Sequence, residues 1–288
     1  MANQIAKFKK YTDLLDEVYK NAAKTAVLES DATMAKQGAN ANEIIISKLD
    51  MDGLGDYDRN SGYVNGNVTM TNETVTFNYD RGRKFSVDAM DNEETVGLAF
   101  GKLSAEFIRT QVVPEQDAFR FATYAELAGT KISGTLSAGT DVLTALQTAT
   151  SAMDDAEVPA ENRHLFITPA LLIAAQNVDT NKSRDILGSF ASITKVPQSR
   201  FYTAIDLKDG KSGGEETGGY AKATEGKDIN FMIVEKSAIL QFTKHNVNKA
   251  IPPEDNPDAD AWIFNFREYG LADVYENKTA GIYLHHKA

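Results

Sequence analysis

The chain has 288 residues, 42% hydrophobic and 9% aromatic, enough apolar material for one large domain or two smaller ones and enough to exclude disorder as the dominant state. Its 30 basic residues stand against 41 acidic ones, a net charge of -11 that repels phosphate and argues against a protein that neutralises a nucleic-acid backbone or an anionic membrane. It contains no cysteine, which removes disulfides, thiolate metal sites and cysteine nucleophiles together and suits a reducing compartment, the cytoplasm by default.

The N-terminus is charged, without the apolar core of a signal peptide, and no apolar run approaches the ~20 residues of a membrane span, so a soluble, unexported protein is expected. Ile5, Phe8, Leu15, Val18, Tyr19 and Ala22 recur at helical spacing and predict an amphipathic helix that fades after Leu28. Residues 30–42 are small, polar and aperiodic, and read as an extended arm. Ile44, Ile45 and Ile46 form a β-branched run, followed by a long loop rich in glycine, asparagine and aspartate.

Val75, Phe77 and Tyr79 alternate with polar residues, as do Phe85, Val87 and Ala89. With Asp80-Arg81-Gly82 taken as a turn, the pattern predicts a projecting hairpin. A long helix is expected over 91–113, capped at Asp91 or Asn92, carrying Glu93 and Glu94 in its first turn and Val96, Phe100, Leu103 and Phe107 on one face. Pro114 should bend or end it, with helical pattern resuming beyond.

From residue 131 the texture is mixed α/β: a helix over 141–153, a buried strand over 165–168, and a second helix capped by Thr168 with Pro169 at its first position. Residues 208–228 carry six glycines and almost no apolar side chains, the pattern of a mobile surface loop. Strand regions at 231–244 and 262–269 flank an acidic loop with prolines, and 271–284 reads as a closing hairpin.

No motif assembles an active site. Asp50, Asp52, Asp56, Asp58 and Asn60 suggest a calcium loop, but counted from Asp56 the turn glycine is Ser61 and the closing glutamate is Asn67. Solvated turn residues are the better reading there, and also for Glu254, Asp255, Asp258 and Asp260. Gly210-Lys211-Ser212 lacks the rest of a phosphate loop, and the four histidines lack metal-ligand spacing, His285 and His286 being read as exposed. Trp262, Phe264 and Phe266 read as a core face rather than a stacking platform.

The ordered stretches MTNETVTFNYDRGRKFSVDAMDNEET, VVPEQDAFRFATYA, VPQSRFYT and DADAWIFNFREYGLADVYENKTAGIYLHH resemble the major capsid proteins of tailed phages, in particular those of phages of low-GC Gram-positive bacteria. The resemblance spans about residues 44–285 and implies the α+β Hong Kong 97 capsid fold. It divides the chain into a helix and arm at 1–50, an extended E-loop at 51–90, a peripheral domain at 91–130 and 238–269 that includes a spine helix at 91–113, and an axial domain at 131–237 and 270–288.

The same resemblance implies a non-enzymatic shell protein that forms pentamers and hexamers around double-stranded DNA without sequence-specific binding. It implies assembly in the host cytoplasm with a separate scaffolding protein and a portal, and no cofactor, metal, catalytic residue or membrane. The arm and the loop over 51–66 are expected to become ordered on contact with neighbours, with Asp56, Asp58, Arg59, Arg81 and Arg83 as candidate intersubunit contacts. Rival readings are an encapsulin-type nanocompartment, a calcium-dependent adhesion module and an unrecognised enzyme.

Overall fold

The computed structural model describes residues 23–30, 36–37, 43–94, 106–178 and 180–288. The helix expected before residue 23, most of the arm at 30–42 and residues 95–105 of the long helix lie outside the described residues.

The strands are β1 (Lys36–Gln37), β2 (Glu43–Met51), β3 (Val68–Thr76), β4 (Tyr79–Asp88), β5 (Thr130–Ser133), β6 (Arg163–Ile167), β7 (Ser192–Lys195), β8 (Ile205–Leu207), β9 (Tyr220–Lys222), β10 (Ile229–Glu235), β11 (Ile239–Ile251), β12 (Ala261–Val274) and β13 (Ile282–His286). The helices are α1 (Ala89–Glu94), α2 (Val113–Leu127), α3 (Gly139–Asp155), α4 (Pro169–Gln176) and α5 (Thr180–Gly188).

An α/β lobe is built on a five-stranded mixed sheet in the order β5-β13-β10-β6-β7. Its central strand β10, Ile-Asn-Phe-Met-Ile-Val-Glu, is buried throughout, which is why it reads as a continuous apolar run and not as an alternation. Phe231 and Ile233 face one cluster with Val142, Leu143 and Leu146 of α3 and Leu172 of α4. Met232 and Val234 face the other, with Phe121 and Tyr124 of α2, Leu28 and Phe201. The helix predicted over 141–153 is α3, which starts two residues earlier at Gly139; the Asp141 carboxylate in its first turn accepts the N–H groups of Ser137 and Ala138 at 3.2 and 2.9 Å. Thr168 stands at the start of α4 in extended conformation with Pro169 next, but its hydroxyl makes no capping bond.

A second sheet, β11-β12-β4, is antiparallel and carries the aromatic face anticipated as core: Phe264 and Phe266 pack with Val112, Phe85 and Phe107. A third, β1-β2-β3, projects as the arm.

Several local expectations give way to long-range pairing. Phe85 to Ala89 do not turn back on Val75 to Tyr79: β3 pairs with β2, while β4 pairs with β12 from Gly270↔Tyr79 to Ala261↔Asp88. The predicted hairpin is therefore corrected to β2/β3. Gly82, read as a turn residue, lies mid-strand, where a Cβ would stand 2.8 Å from the Phe266 carbonyl oxygen; its value is close backbone approach. The strand region at 231–244 splits at a 3-10 turn, Lys236–Ala238, into β10 and β11 of different sheets. The closing hairpin is corrected likewise, since residues 271–274 finish β12 while β13 joins β10 and β5.

Pro114 does not end its helix. Val113 keeps helical angles (φ -59, ψ -44), and the preceding turn, Ile108–Val112, is a π-helix. This wider turn, with the Val113 N–H on the Ile108 carbonyl, lies where a proline ring would otherwise crowd an α-helical carbonyl.

Candidate assembly surface

The arm grows from an apolar base. Ile44, Ile46 and Val75 are buried against Leu240, Phe242 and Leu271 of the β11-β12 sheet. Beyond that base, the apolar side chains of β2 and β3 find no cover among the described residues: Leu49, Met51, Val68 and Met70 are 56 to 66% exposed, Tyr63 88% and Leu54 fully so. An isolated exposed leucine is unremarkable, but a succession along both strands and their connecting loop marks a surface for another protein.

The loop is shaped from within. Asp52 and Asn67 close its base, the Asn67 N–H donating to the Asp52 carboxylate at 2.7 Å and the Asp52 N–H to the Asn67 carbonyl at 3.1 Å. At the tip, Gly62 (φ +81) pairs with Asp58, and Tyr57 meets Tyr63 edge-on with centroids 4.8 Å apart. The N–H of Asn60 and the hydroxyl of Ser61 hold the Asp58 carboxyl below its ordinary range. Asp56, Asp58 and Arg59 are thus exposed on the tip. Arg81 and Arg83 belong elsewhere: Arg81 Nε donates to Glu115 at 2.7 Å and its Nη2 to the Lys208 carbonyl at 2.8 Å, while Arg83 Nη2 donates to the Glu216 carbonyl at 2.9 Å. The five candidates do not form one contact site, and the two arginines direct these donors inside their own subunit.

Behind the arm lies a buried polar clasp that sequence reasoning missed. Asp117 on α2 is fully buried and accepts the N–H groups of Lys24 and Thr25, the Thr25 hydroxyl at 2.9 Å and Arg200 Nη1 at 3.0 Å. Arg120, one turn on, donates to the same hydroxyl at 3.0 Å. Gln241 of β11 donates to the Thr25 carbonyl and to Glu29, and accepts from Tyr124 at 2.8 Å. Ser30 bonds the backbone of Ile239 and Gln241, extending the ladder of β11. Residues 23–30 are therefore fastened to the core. The legible signal was that Asp117 and Arg120 share a helical face with Phe121 and Tyr124, which sets two charges among core aromatics.

Burial pushes the Tyr124 and Tyr79 hydroxyls far above the ordinary tyrosine range and raises the Glu268 carboxyl, which accepts from Gln116.

His285, expected to be exposed, is only 5% exposed, stacks on Phe231 at 5.1 Å and faces the Asn230 amide, whose nitrogen lies 3.0 Å from its Nδ1. That amide also donates to the Gly134 carbonyl, so Nδ1 acts as an acceptor and the ring is neutral. Burial, with the adjacent His286 second, lowers its pKa below the ordinary 6.5, and burial also lowers that of His164. The unfolded chain then binds protons that the folded chain refuses. Stability is fully present above pH 6.5, falls as pH drops below the unfolded value, and levels only beneath the lowered folded values. Thermal melts should be flat above that point and decline toward pH 5.5, with the His285 Cε1 proton titrating below 6.5 by NMR; a His285 midpoint at or above 6.5 contradicts the assignment.

Among the described residues, no three His, Cys, Asp or Glu side chains are placed to hold a metal ion, and no helix is long and apolar enough to cross a membrane. The apolar arm, the fastened N-terminal segment, the long strands β11 and β12 and the five-stranded lobe together make an α+β fold of the Hong Kong 97 type.

Solved structures agree with that class. A structure from Mycobacterium phage Che8 is 12% identical, with a TM-score of 0.65 over 99% of this chain and 96% of that chain. The capsid structure of the cyanophage P-SCSP1u is 12% identical, with a TM-score of 0.62 over 98% and 93%. The capsid structure of Staphylococcus phage Andhra is 12% identical, with a TM-score of 0.57 over 98% and 88%. No protein-family model matches the sequence, and no curated protein matches it.

Proposed function

We propose that this chain is the major capsid protein of a tailed phage, assembling through pentamers and hexamers into the icosahedral shell that encloses a double-stranded DNA genome. The observation that carries this reading is the arm: an apolar hairpin that the described residues leave uncovered, on a fold shared with a phage capsid structure along nearly its whole length. An exposed strip of this kind is costly in an isolated subunit and productive where identical neighbours cover it. The acidic balance suits a container that does not grip its DNA. Assembly would take place in the host cytoplasm, with a separate scaffolding protein and a portal as further partners.

The domain division proposed from the sequence is kept, with the extended E-loop at 51–90; the pairing of β2 with β3 supports an extended hairpin rooted near residue 43. Asp56, Asp58 and Arg59 remain proposed polar contacts across subunits. The solved structures that this chain resembles are phage structures, which favours a phage shell over a nanocompartment, and the acidic loops close no ligand set among the described residues that would favour calcium adhesion.

Electron microscopy of the protein expressed with its neighbouring viral genes tests the proposal, with closed shells as the expected product. Limited proteolysis adds the molecular detail: trypsin should cut free subunits first at Arg59, which lies on the exposed loop tip, and assembled particles should resist there. Persistent monomers beside a verified scaffold, or equal cutting at Arg59 in both states, would count against it.

A further inference from the structure

Shell formation assigns no role to the glycine-bearing segment that the sequence marks as a mobile loop. Residues 208–219 are in fact folded. The Lys208 N–H donates to the Gly219 carbonyl at 2.9 Å, closing the β8/β9 ladder. Inside, Asp209 accepts the N–H groups of Lys211 and Ser212 at 2.7 and 2.8 Å and the Ser212 hydroxyl, which together bring its carboxyl down to about 2. The Gly218 N–H donates to the Glu215 carbonyl at 2.8 Å.

What ties this loop to the rest of the molecule is a pair of arginines on β4, two residues apart and therefore on the same face of the strand. Arg81 joins Glu115 of α2 to the Lys208 carbonyl at 2.8 Å, with the Gly219 carbonyl at 3.4 Å, so one guanidinium spans helix and loop ends. Arg83 donates to the Glu216 carbonyl at the far side of the loop. Its Nη1 lies against Gly210 and Gly218, where a Cβ would stand only 2.8 and 3.4 Å away. Both glycines also have positive φ, +73 and +66. Their backbone conformation requires glycine, and at Gly210 a Cβ would also push the Arg83 guanidinium from its place.

We propose that residues 208–219 form a strap that fastens the α/β lobe to β4, with Arg81 and Arg83 as its two fastenings and Gly210 and Gly218 as the surface that admits Arg83. Because only two residues separate the end of the arm from β4, the strap joins the loop's order to the anchorage of the strand that follows the arm. The device is a property of the single subunit, so it stands or falls separately from the shell reading.

Amide hydrogen exchange on the free, full-length subunit tests it, with the Lys208, Glu215 and Gly218 amides as probes of the loop and those of β10 as a reference for the core. Arg83→Ala should speed exchange at the three loop amides by about tenfold or more while leaving β10 unchanged. Gly210→Ala should do the same. Gly213→Ala is the control, because a Cβ there meets nothing within 4 Å, and it should exchange like the native protein. Native exchange in Arg83→Ala would mean that Asp209 alone holds the loop, and the strap fails. Exchange in Gly213→Ala as fast as in Arg83→Ala would mean that the loop tolerates no change anywhere, and the proposal fails equally.

Discussion

Replacing Asp117 with alanine is expected to destabilise the subunit by about 3 to 5 kcal/mol, the usual cost of removing one member of a buried ion pair. The carboxylate is fully buried, and Arg200, its partner at 3.0 Å, is 3% exposed, so the guanidinium would keep its charge after losing this carboxylate, with little water to replace it. The N–H groups of Lys24 and Thr25 would lose their acceptor at the same time, each a further loss of the kind that buried unsatisfied donors bring. Against a total stability of about 5 to 15 kcal/mol for a domain, this is a large fraction. Urea unfolding of the free subunit should show the midpoint shift. Asp117→Asn, which retains an acceptor, should lose less. A change below about 1 kcal/mol in Asp117→Ala would mean that the clasp is dispensable to the fold.

On the proposed shell function, replacing Leu54, Tyr63 and Val64 together with serine should have the opposite signature, leaving the subunit as stable as before and abolishing the assembly proposed for it. All three side chains are at least 69% exposed and contribute no core packing, so the fold should change by less than about 0.5 kcal/mol. On full burial against a neighbour each would contribute roughly 1.5 to 3 kcal/mol, so their loss weakens every arm contact by several kcal/mol. A closed shell repeats that contact at every subunit. Sedimentation velocity should therefore find free subunits where the native protein forms particles, with identical melting curves for the two. Normal particles from the triple variant would show that the arm is not an assembly contact.

The clasp and the arm differ in how far the sequence discloses them. The Ile44 to Ile46 run and the alternation around Val75 announce strands, and they are strands, but nothing local says that β3 answers β2 and not β4. Asp80-Arg81-Gly82 carries turn chemistry and lies in mid-strand, because pairing with ten residues of β12 outweighs a turn preference of a few tenths of a kcal/mol. The N-terminal segment is similar: Thr25 and Ser30 look like ordinary polar residues until Asp117 and Gln241, some 92 and 211 residues away, turn out to be their partners. His285, near the chain end, reads as exposed by position alone and is covered by Phe231 and Asn230.

By itself the sequence determined the α+β class, the approximate places of most strands and of α2, α3 and α4 and the aromatic core face of β12, because each of these follows from local periodicity, capping and residue chemistry. The ordered stretches also pointed to the capsid fold. Only the tertiary structure decided which strands pair, how Asp117 is neutralised, why Gly82, Gly210 and Gly218 must be glycine, and that Arg81 and Arg83 bind their own subunit. Those features depend on contacts between residues far apart in the chain. Their energies come from burial and from hydrogen-bond geometry that forms only after the layers have packed, and no window of sequence contains both partners.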